Sequence, residues 1–360
     1  MMKKIALVAD VRNWAFDIAA NIIKRALSNK YQIDIYYSKS EEFNKDLFKI
    51  LEQLKDYDLI HFFWRAILLD FEKEEFKQKV VEKYVNYEEY IKRIVSKIST
   101  GVYDHLYEED IDFNSKFTKY CNSYVVSSKK LFDIYSNIGD VKKPTAIIGD
   151  SFEKEKFFPS NMQRFDFEEK NDERLVIGWV GNSAWNEKQK DSNGNTIDFK
   201  GFHTVLKPVI EELQNEGYNI EMKCADKAVK QIENDDMCEY YSHIHIYICV
   251  SYKEGTPKPL LEAMGCAVPV ITTDVGVAED ALGPEQKQYI LSQRKIGENE
   301  EQIRQQLKEK IKYLYCNRNE LRKLSEENYE FSKKYEIESM KRKYETYFET
   351  FLENSRDEGR

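Results

Sequence analysis

The sequence predicts an α/β protein built from two doubly wound parallel sheets. Three observations carry this. Short apolar runs alternate with stretches of helical periodicity, the pattern of repeated β-α units. A polar stretch at residues 153–173, containing Pro159, interrupts the alternation. The alternation then restarts at RLVIGWVGN, residues 174–182. A chain of 360 residues has room for two domains at ~150 residues each.

In the first half, KKIALVA (3–9) is a short apolar run suited to a buried parallel strand. WAFDIAANIIKRAL (14–27) follows with Phe16, Ala19, Ala20, Ile23 and Leu27 on one helical face. YQIDIYY (31–37) and DLIHFFW (58–64) are the next strands, and residues 75–98 form one long amphipathic helix. STGVYD (99–104), SYVVSS (123–128) and, after Pro144, TAIIGDS (145–151) complete the half. The first domain is expected over 1–165. In the second half the strand RLVIGWVGN leads into a polar loop ending at Lys200, then a helix over 201–217. NIEMKC (219–224), HIHIYICVS (243–251) and AVPVITT (267–273) are strands, and helices close the chain near 299–315, 317–333 and 336–354.

Composition excludes several classes. Charged residues are 33% and the hydrophobic set 41%, which is globular and not disordered. With 14 Gly and 7 Pro the chain is neither collagen-like nor a linker. The longest near-apolar run, Ile60–Phe71, contains His61, Arg65 and Asp70, whereas a spanning helix needs ~20 mostly apolar residues. The opening MMKKIALVAD has too short an apolar stretch for a signal peptide, which needs ~7–15 residues. The six Cys show no paired or zinc spacing, so reduced thiols in the cytoplasm are expected. Net charge is −9, made of +1 before residue 165 and −10 after it, which argues against a nucleic-acid partner. Lys92-Arg93, Lys129-Lys130 and Lys142-Lys143 offer a peripheral contact with anionic lipid at the inner membrane face, or are simply solvated.

The richest segment runs from Ser251 to Asp280, SYKEGTPKPLLEAMGCAVPVITTDVGVAED. An apolar strand leads into a loop at Lys253–Lys258, a short helix at Pro259–Met264, a break at Gly265 and a second buried strand at Val268–Ile271. Pro259 suits the first helical turn, where its missing N–H costs nothing. The N–H groups of Gly255, Thr256, Lys258, Leu260 and Leu261 then surround a helix N-terminus, which favours an anion. Glu254 and Glu262 flank this point, placed to accept hydrogen bonds from hydroxyls. Their spacing alone carries no weight in so acidic a chain; the strand–loop–helix–strand setting does. The alternative for both is a solvated helix start with favourably placed acids.

This segment resembles the Glu-x7-Glu signature of family 4 retaining glycosyltransferases. Glu254, Gly255, Pro259, Leu261, Glu262, Ala263, Met264, Pro269, Val270, Thr273 and Gly276 stand in matching places. RLVIGWVGN, the Lys200-Gly201 step and AIIGDSFEKEKFFP (146–159) are also similar to the family, with Asp150-Ser151 where Asn-Gly is usual. The resemblance covers residues 120–350 well and 1–120 loosely. It implies a GT-B fold, two Rossmann-like domains facing a cleft. The sugar-nucleotide domain would span 166–333, and 334–360 would form a helix packing back on the first domain.

It also implies a metal-independent, retaining, hexosyl-type transferase, working in cell-surface polysaccharide synthesis from a nucleoside-diphosphate sugar. The acceptor would be a glycan, a lipid-linked sugar or a protein, and no cofactor beyond the donor is implied. Carried over, Glu254 contacts the donor sugar, Glu262 the ribose, and Lys200 the leaving phosphate. Gly181, Asn182, Gly255, Thr256, Pro257 and Lys258 complete the donor site. The family usually has Arg where this chain has Asn182; Arg12, Lys188 and Lys190 are candidate replacements. His105 falls where the family has a His or Asp near the donor sugar, so the resemblance makes His105, Lys200 and Glu254 the catalytic set.

The first loop, DVRNWAF, has no glycine; Arg12, Asn13 and Trp14 are its candidate cleft residues, with Trp14 either a stacking surface or a staple for the first helix. His61 is expected to be structural. Asp56-Tyr57-Asp58 and Asp110-Ile111-Asp112 match a metal-binding D-x-D string but are expected by chance, and no catalytic metal is predicted. G-x-G-x-x-G is absent, which argues against a nicotinamide dehydrogenase. The alternatives are a GT-B sugar-nucleotide epimerase, a phosphorylase, or a catalytically inactive GT-B partner protein.

Overall fold

The computed structural model describes residues 2–167, 174–184 and 197–357. The chain divides into two compact units, Met1–Asp150 with Ile337–Arg360, and Ser151–Glu336. Each unit holds one parallel sheet with helices packed on it, the α/β architecture that the alternating pattern predicts.

The strands of the first unit are β1 (Lys4–Ala9), β2 (Gln32–Tyr37), β3 (Leu59–Phe62), β4 (Ile98–Val102), β5 (Ser123–Val126) and β6 (Ala146–Ile147). They pair in the order β2-β1-β3-β4-β5-β6. β3, β4 and β5 are buried at every residue and β1 at all but its first, as strands covered on both faces must be. The predicted long helix over 75–98 is two helices, Glu74–Tyr84 and Tyr87–Val95. Val85 breaks it with φ +62°, and Asn86 caps the second helix by accepting from the Glu89 N–H at 3.2 Å. Helical periodicity runs through both pieces and hides a one-residue reversal.

The last helix, Ile337–Asp357, belongs to the first unit. Met340, Tyr344, Tyr347, Phe348, Phe351 and Leu352 share a core with Ile5, Leu7, Ile23, Leu27 and Ile33. A buried polar chain fixes its register. Tyr347 Oη lies 2.5 Å from Ser99 Oγ and 2.7 Å from Ser123 Oγ. His61 Nδ1 meets Ser99 Oγ at 2.9 Å and its Nε2 meets Tyr103 Oη at 3.1 Å.

The second unit contains β7 (Leu175–Gly181), β8 (Ile220–Asp226), β9 (Ile246–Cys249), β10 (Val270–Thr273) and β11 (Ile290–Leu291), in the order β11-β10-β9-β7-β8. The two-residue β11 was too short to show in the sequence pattern. The division falls at Asp150, whereas the polar stretch pointed near residue 165. Residues 151–165 pack in the second unit because Phe152, Phe157 and Phe165 enter its cores. Among the described residues, no helix is long and apolar enough to cross a membrane.

Burial pushes the His61 imidazole down to about 3. An unfolded His binds a proton near pH 6.5 and the native one does not until far lower, so below 6.5 the unfolded state holds the extra proton. Stability contributed here is complete above pH 6.5 and declines as pH falls, by about 1.4 kcal/mol per unit. Urea unfolding at pH 7.5 and 5.0 should therefore show a loss about 2 kcal/mol larger in wild type than in His61→Gln. Equal losses would refute this role.

Candidate functional site

In an open parallel sheet, a crevice forms at the carboxyl ends where strand order reverses. In the second unit that point lies between β7 and β9. The loop after β7 ends in Lys200-Gly201, and the loop after β9 carries Glu254. The two meet: the Lys200 ammonium forms an ion pair with Glu254 Oε1. Burial would push the Lys200 ammonium down, but the Glu254 carboxylate outweighs it and holds it above its ordinary value.

Backbone geometry explains why this loop reaches β9. Gly201 adopts φ +68°, and a Cβ there would lie 2.4 Å from the Val250 carbonyl oxygen. The Tyr252 N–H donates to the Phe199 carbonyl at 2.8 Å. On the other side, Gly276 has φ +50°, and its Cβ would stand 1.9 Å from the Gly255 carbonyl oxygen. Two glycines thus let three loops close on one another.

Two helices start here, and their N-termini differ. The first opens with a wide turn at Phe202–Leu206, Leu206 N–H reaching Gly201 O at 2.9 Å, and continues as Lys207–Asn215. Its N-terminus is filled by the chain's own carboxylate. Asp198 accepts from the N–H groups of Phe202, His203 and Thr204 at 3.2, 2.7 and 2.7 Å. The second, Lys258–Gly265, has Pro257 at its cap position and no side-chain cap. The Leu260 N–H, expected among the anion-facing donors, instead donates to the Pro257 carbonyl at 2.8 Å. The amides of Gly255, Thr256 and Lys258 precede the helix's closed ladder and keep the favourable position.

Glu262 is buried at 6% exposure and accepts from the Tyr241 hydroxyl at 3.1 Å, while Tyr241 also reaches the Pro259 carbonyl at 3.2 Å. Burial pushes the Tyr241 hydroxyl well above its ordinary value, so it remains a donor to Glu262. Gly181 ends β7, and Asn182 uses its Oδ1 to accept from the Ala184 N–H at 3.1 Å. That is a turn-forming role. Lys188 and Lys190 lie outside the described residues.

The other candidates belong to the first unit. His105 follows β4, with Nδ1 2.6 Å from Glu108 Oε2. Its loop is anchored by buried Arg65, which grips Asp104 through two hydrogen bonds at 2.8 and 3.0 Å. Burial would raise the Asp104 carboxyl, but Arg65 outweighs it and holds it below the usual carboxylate range. In the loop after β1, the Arg12 guanidinium sits 5.0 Å over the Tyr37 ring. Asn13 takes φ +61° and donates its N–H to Asp17 Oδ2 at 2.8 Å. Trp14 is 66% exposed, so it does not staple the helix Ala15–Leu27 to the core.

Both D-x-D strings have local jobs. Asp58 accepts from the Lys4 N–H at 2.9 Å, and Asp110 caps the helix Ile111–Lys119. A surface cavity of about 520 Å³ lies by Arg174, Ile210, Asn219 and Ile220, at the opposite end of the strands from Lys200 and Glu254. Asp198 lies outside the motifs, although an Asp four residues before the first turn is a recognisable cap signal. Nothing in the sequence singles out Arg65 or Arg294.

Residues 210–329, a third of the chain, match the profile of the family described as glycosyl transferases group 1. The match shows likeness to that family over this region. That region includes Glu254 and Glu262 and begins after Lys200. No curated protein sequence matches significantly. Among solved structures, sucrose-phosphate synthase from Thermosynechococcus elongatus aligns with TM-score 0.64 at 14% identity, over 98% of this chain and 100% of that one. HepE from Anabaena in complex with UDP-glucose aligns with TM-score 0.61 at 12% identity, over 96% and 99%. The apo form of WaaB, a lipopolysaccharide outer core galactosyltransferase, aligns with TM-score 0.57 at 11% identity, over 97% and 99%. The fold of this chain is thus GT-B.

Gly201→Ala should destabilise the second unit by roughly 2 kcal/mol or more, combining left-handed strain with the contact on Val250. Chemical unfolding measures this. A loss under about 0.5 kcal/mol would show that the close approach is unimportant.

Proposed function

We propose that the chain is a retaining, metal-independent glycosyltransferase whose second unit binds a nucleoside-diphosphate sugar. The observation that carries this is the Lys200–Glu254 pair at the strand-order reversal, beside the N-terminus of Lys258–Gly265. A diphosphate needs a cation and unsatisfied amides; a sugar needs a carboxylate within reach of its hydroxyls. This corner offers all of them.

In the proposed reaction Lys200 exchanges Glu254 for the diphosphate oxygens, and Glu254 turns to a donor-sugar hydroxyl. Glu262, oriented by Tyr241, accepts from the ribose. Gly255, Thr256 and Lys258 present amides to the phosphates, with Pro257 fixing the turn. The acceptor oxygen bonds to the anomeric carbon on the face from which the phosphate oxygen departs. The acceptor's proton passes to that departing phosphate. Lys200 stabilises the negative charge that builds there, a preorganised electrostatic contribution. His105 makes a polar contact with the donor sugar, and Arg12, Asn13 and Trp14 face the acceptor.

A UDP-sugar is the proposed donor class, supported by the HepE complex with UDP-glucose. An acceptor in cell-surface glycan synthesis is supported by the likeness to WaaB, with a glycan, lipid-linked sugar or protein as its form. The work is assigned to the cytoplasm, with peripheral contact at the inner membrane face through the lysine and arginine pairs of the first unit.

Thermal shift against UDP-, GDP-, ADP-, TDP- and CDP-sugars should raise the melting temperature for the true donor. Lys200→Ala and Glu254→Ala should each lose about 100- to 1,000-fold in kcat while keeping the wild-type fold. Chelator should leave turnover unchanged, and NMR of the product should show the donor's anomeric configuration. Wild-type turnover in either variant, or an inverted product, would sink the assignment.

A further inference from the structure

Behind the Lys200–Glu254 pair lies a cation that belongs to no recognised motif. Arg294 follows β11 and is 0% exposed. Its Nη1 donates to the Asp198 carbonyl at 2.6 Å, and reaches those of Val250 at 3.4 Å and Phe199 at 3.5 Å. Its Nη2 donates to Thr204 Oγ1 at 2.9 Å and to Glu300 Oε1 at 2.5 Å. Asp198 and Phe199 immediately precede Lys200, Val250 follows the end of β9 on the way to Glu254, and Thr204 lies in the turn after Gly201. One guanidinium therefore spans both loops that carry the pair. A Cβ on Gly201 would come within 3.1 Å of Nη1, so the fork fills the space the glycine leaves.

Burying a charge to hold two loops together is costly, and apolar packing would serve stability at least as well. What apolar packing cannot do is fix carbonyls of two loops in one plane. A guanidinium has donors on both arms at set angles, which a lysine lacks. Glu300 balances the charge, and Thr204 also donates to Asp198 Oδ2 at 3.2 Å, linking the fork to the carboxylate that caps the following helix.

We propose that Arg294 is a positioning residue that sets Lys200 against Glu254 and the Lys258–Gly265 N-terminus. This rests on the donor-site reading above. The test compares Arg294→Met and Arg294→Lys in the full chain. Amide hydrogen exchange without donor should accelerate at least tenfold at residues 198–204 in Arg294→Met, with the rest of the second unit unchanged. No local change, or uniform acceleration across the unit, overturns the proposal.

With the nucleotide sugar that wild type turns over fastest, Arg294→Met should lose about 100-fold in kcat, as a small misplacement does, with KM changed less than tenfold. In a Lys200→Ala background the same substitution should cost less than twofold. An equal loss in both backgrounds overturns the proposal. Should Arg294→Met not fold, Arg294→Lys, which keeps the charge but not the fork, must show the same local exchange and the same dependence on Lys200, or the proposal fails. If wild type turns over no nucleotide sugar, the donor reading fails, while hydrogen exchange still decides whether Arg294 holds the loop.

Discussion

The second unit depends on one close approach, that of Gly201 to the end of β9. The strand order sends the loops after β7 and β9 apart at their bases, which opens the crevice. The Lys200-Gly201 turn brings them back together, and only a residue without a Cβ permits it, since 2.4 Å from a carbonyl oxygen is too near for carbon. From that contact follow the Lys200–Glu254 pair, the Tyr252–Phe199 hydrogen bond and the reach of Arg294 across both loops.

Two helix N-termini stand within this small region, and the chain disposes of them differently. The one after Gly201 is closed by Asp198, whose carboxylate takes three backbone N–H groups. An anion arriving there would meet a carboxylate already in place. The one at Lys258 has proline at its cap and two more lysines nearby in Lys253 and Lys258 itself. A lysine in the first turn opposes the helix dipole, an arrangement that an anion would relieve. The same structural device is thus neutralised in one place and left without a side-chain cap in the other, so the proposed diphosphate would have one helix end to meet and not two.

The fold was legible wherever periodicity had length. The buried runs of β1, β3, β7 and β9 stand out because a strand covered on both faces is apolar throughout. The break at Val85-Asn86 was not legible, because a single left-handed residue leaves the apolar spacing on either side intact. β11 has two residues and no pattern of its own. In the site, Glu254, Gly255 and Glu262 were visible through their setting between two apolar strands. Arg65 and Arg294 were invisible, because each acts through burial and through carbonyls or carboxylates distant in sequence. Asn182 stands where the family usually has a cation, and its side chain shapes the turn at Ala184.

The charge split of the sequence takes on a different sense at this scale. The second part carries a balance of −10, which by itself would repel a diphosphate. Surface carboxylates, however, are screened within about 10 Å at 0.1 M salt. What a phosphate bound as proposed would meet is the immediate lining: Lys200, the amides of Gly255, Thr256 and Lys258, and the positive end of one helix. Lys200 is partly removed from water and already charged against Glu254, so its field is only weakly screened. In the proposed exchange of carboxylate for phosphate, one ion pair would replace another and the ammonium would not be desolvated afresh. Preorganisation by Glu254 and Arg294 is how an acidic unit would present a basic point to the proposed donor.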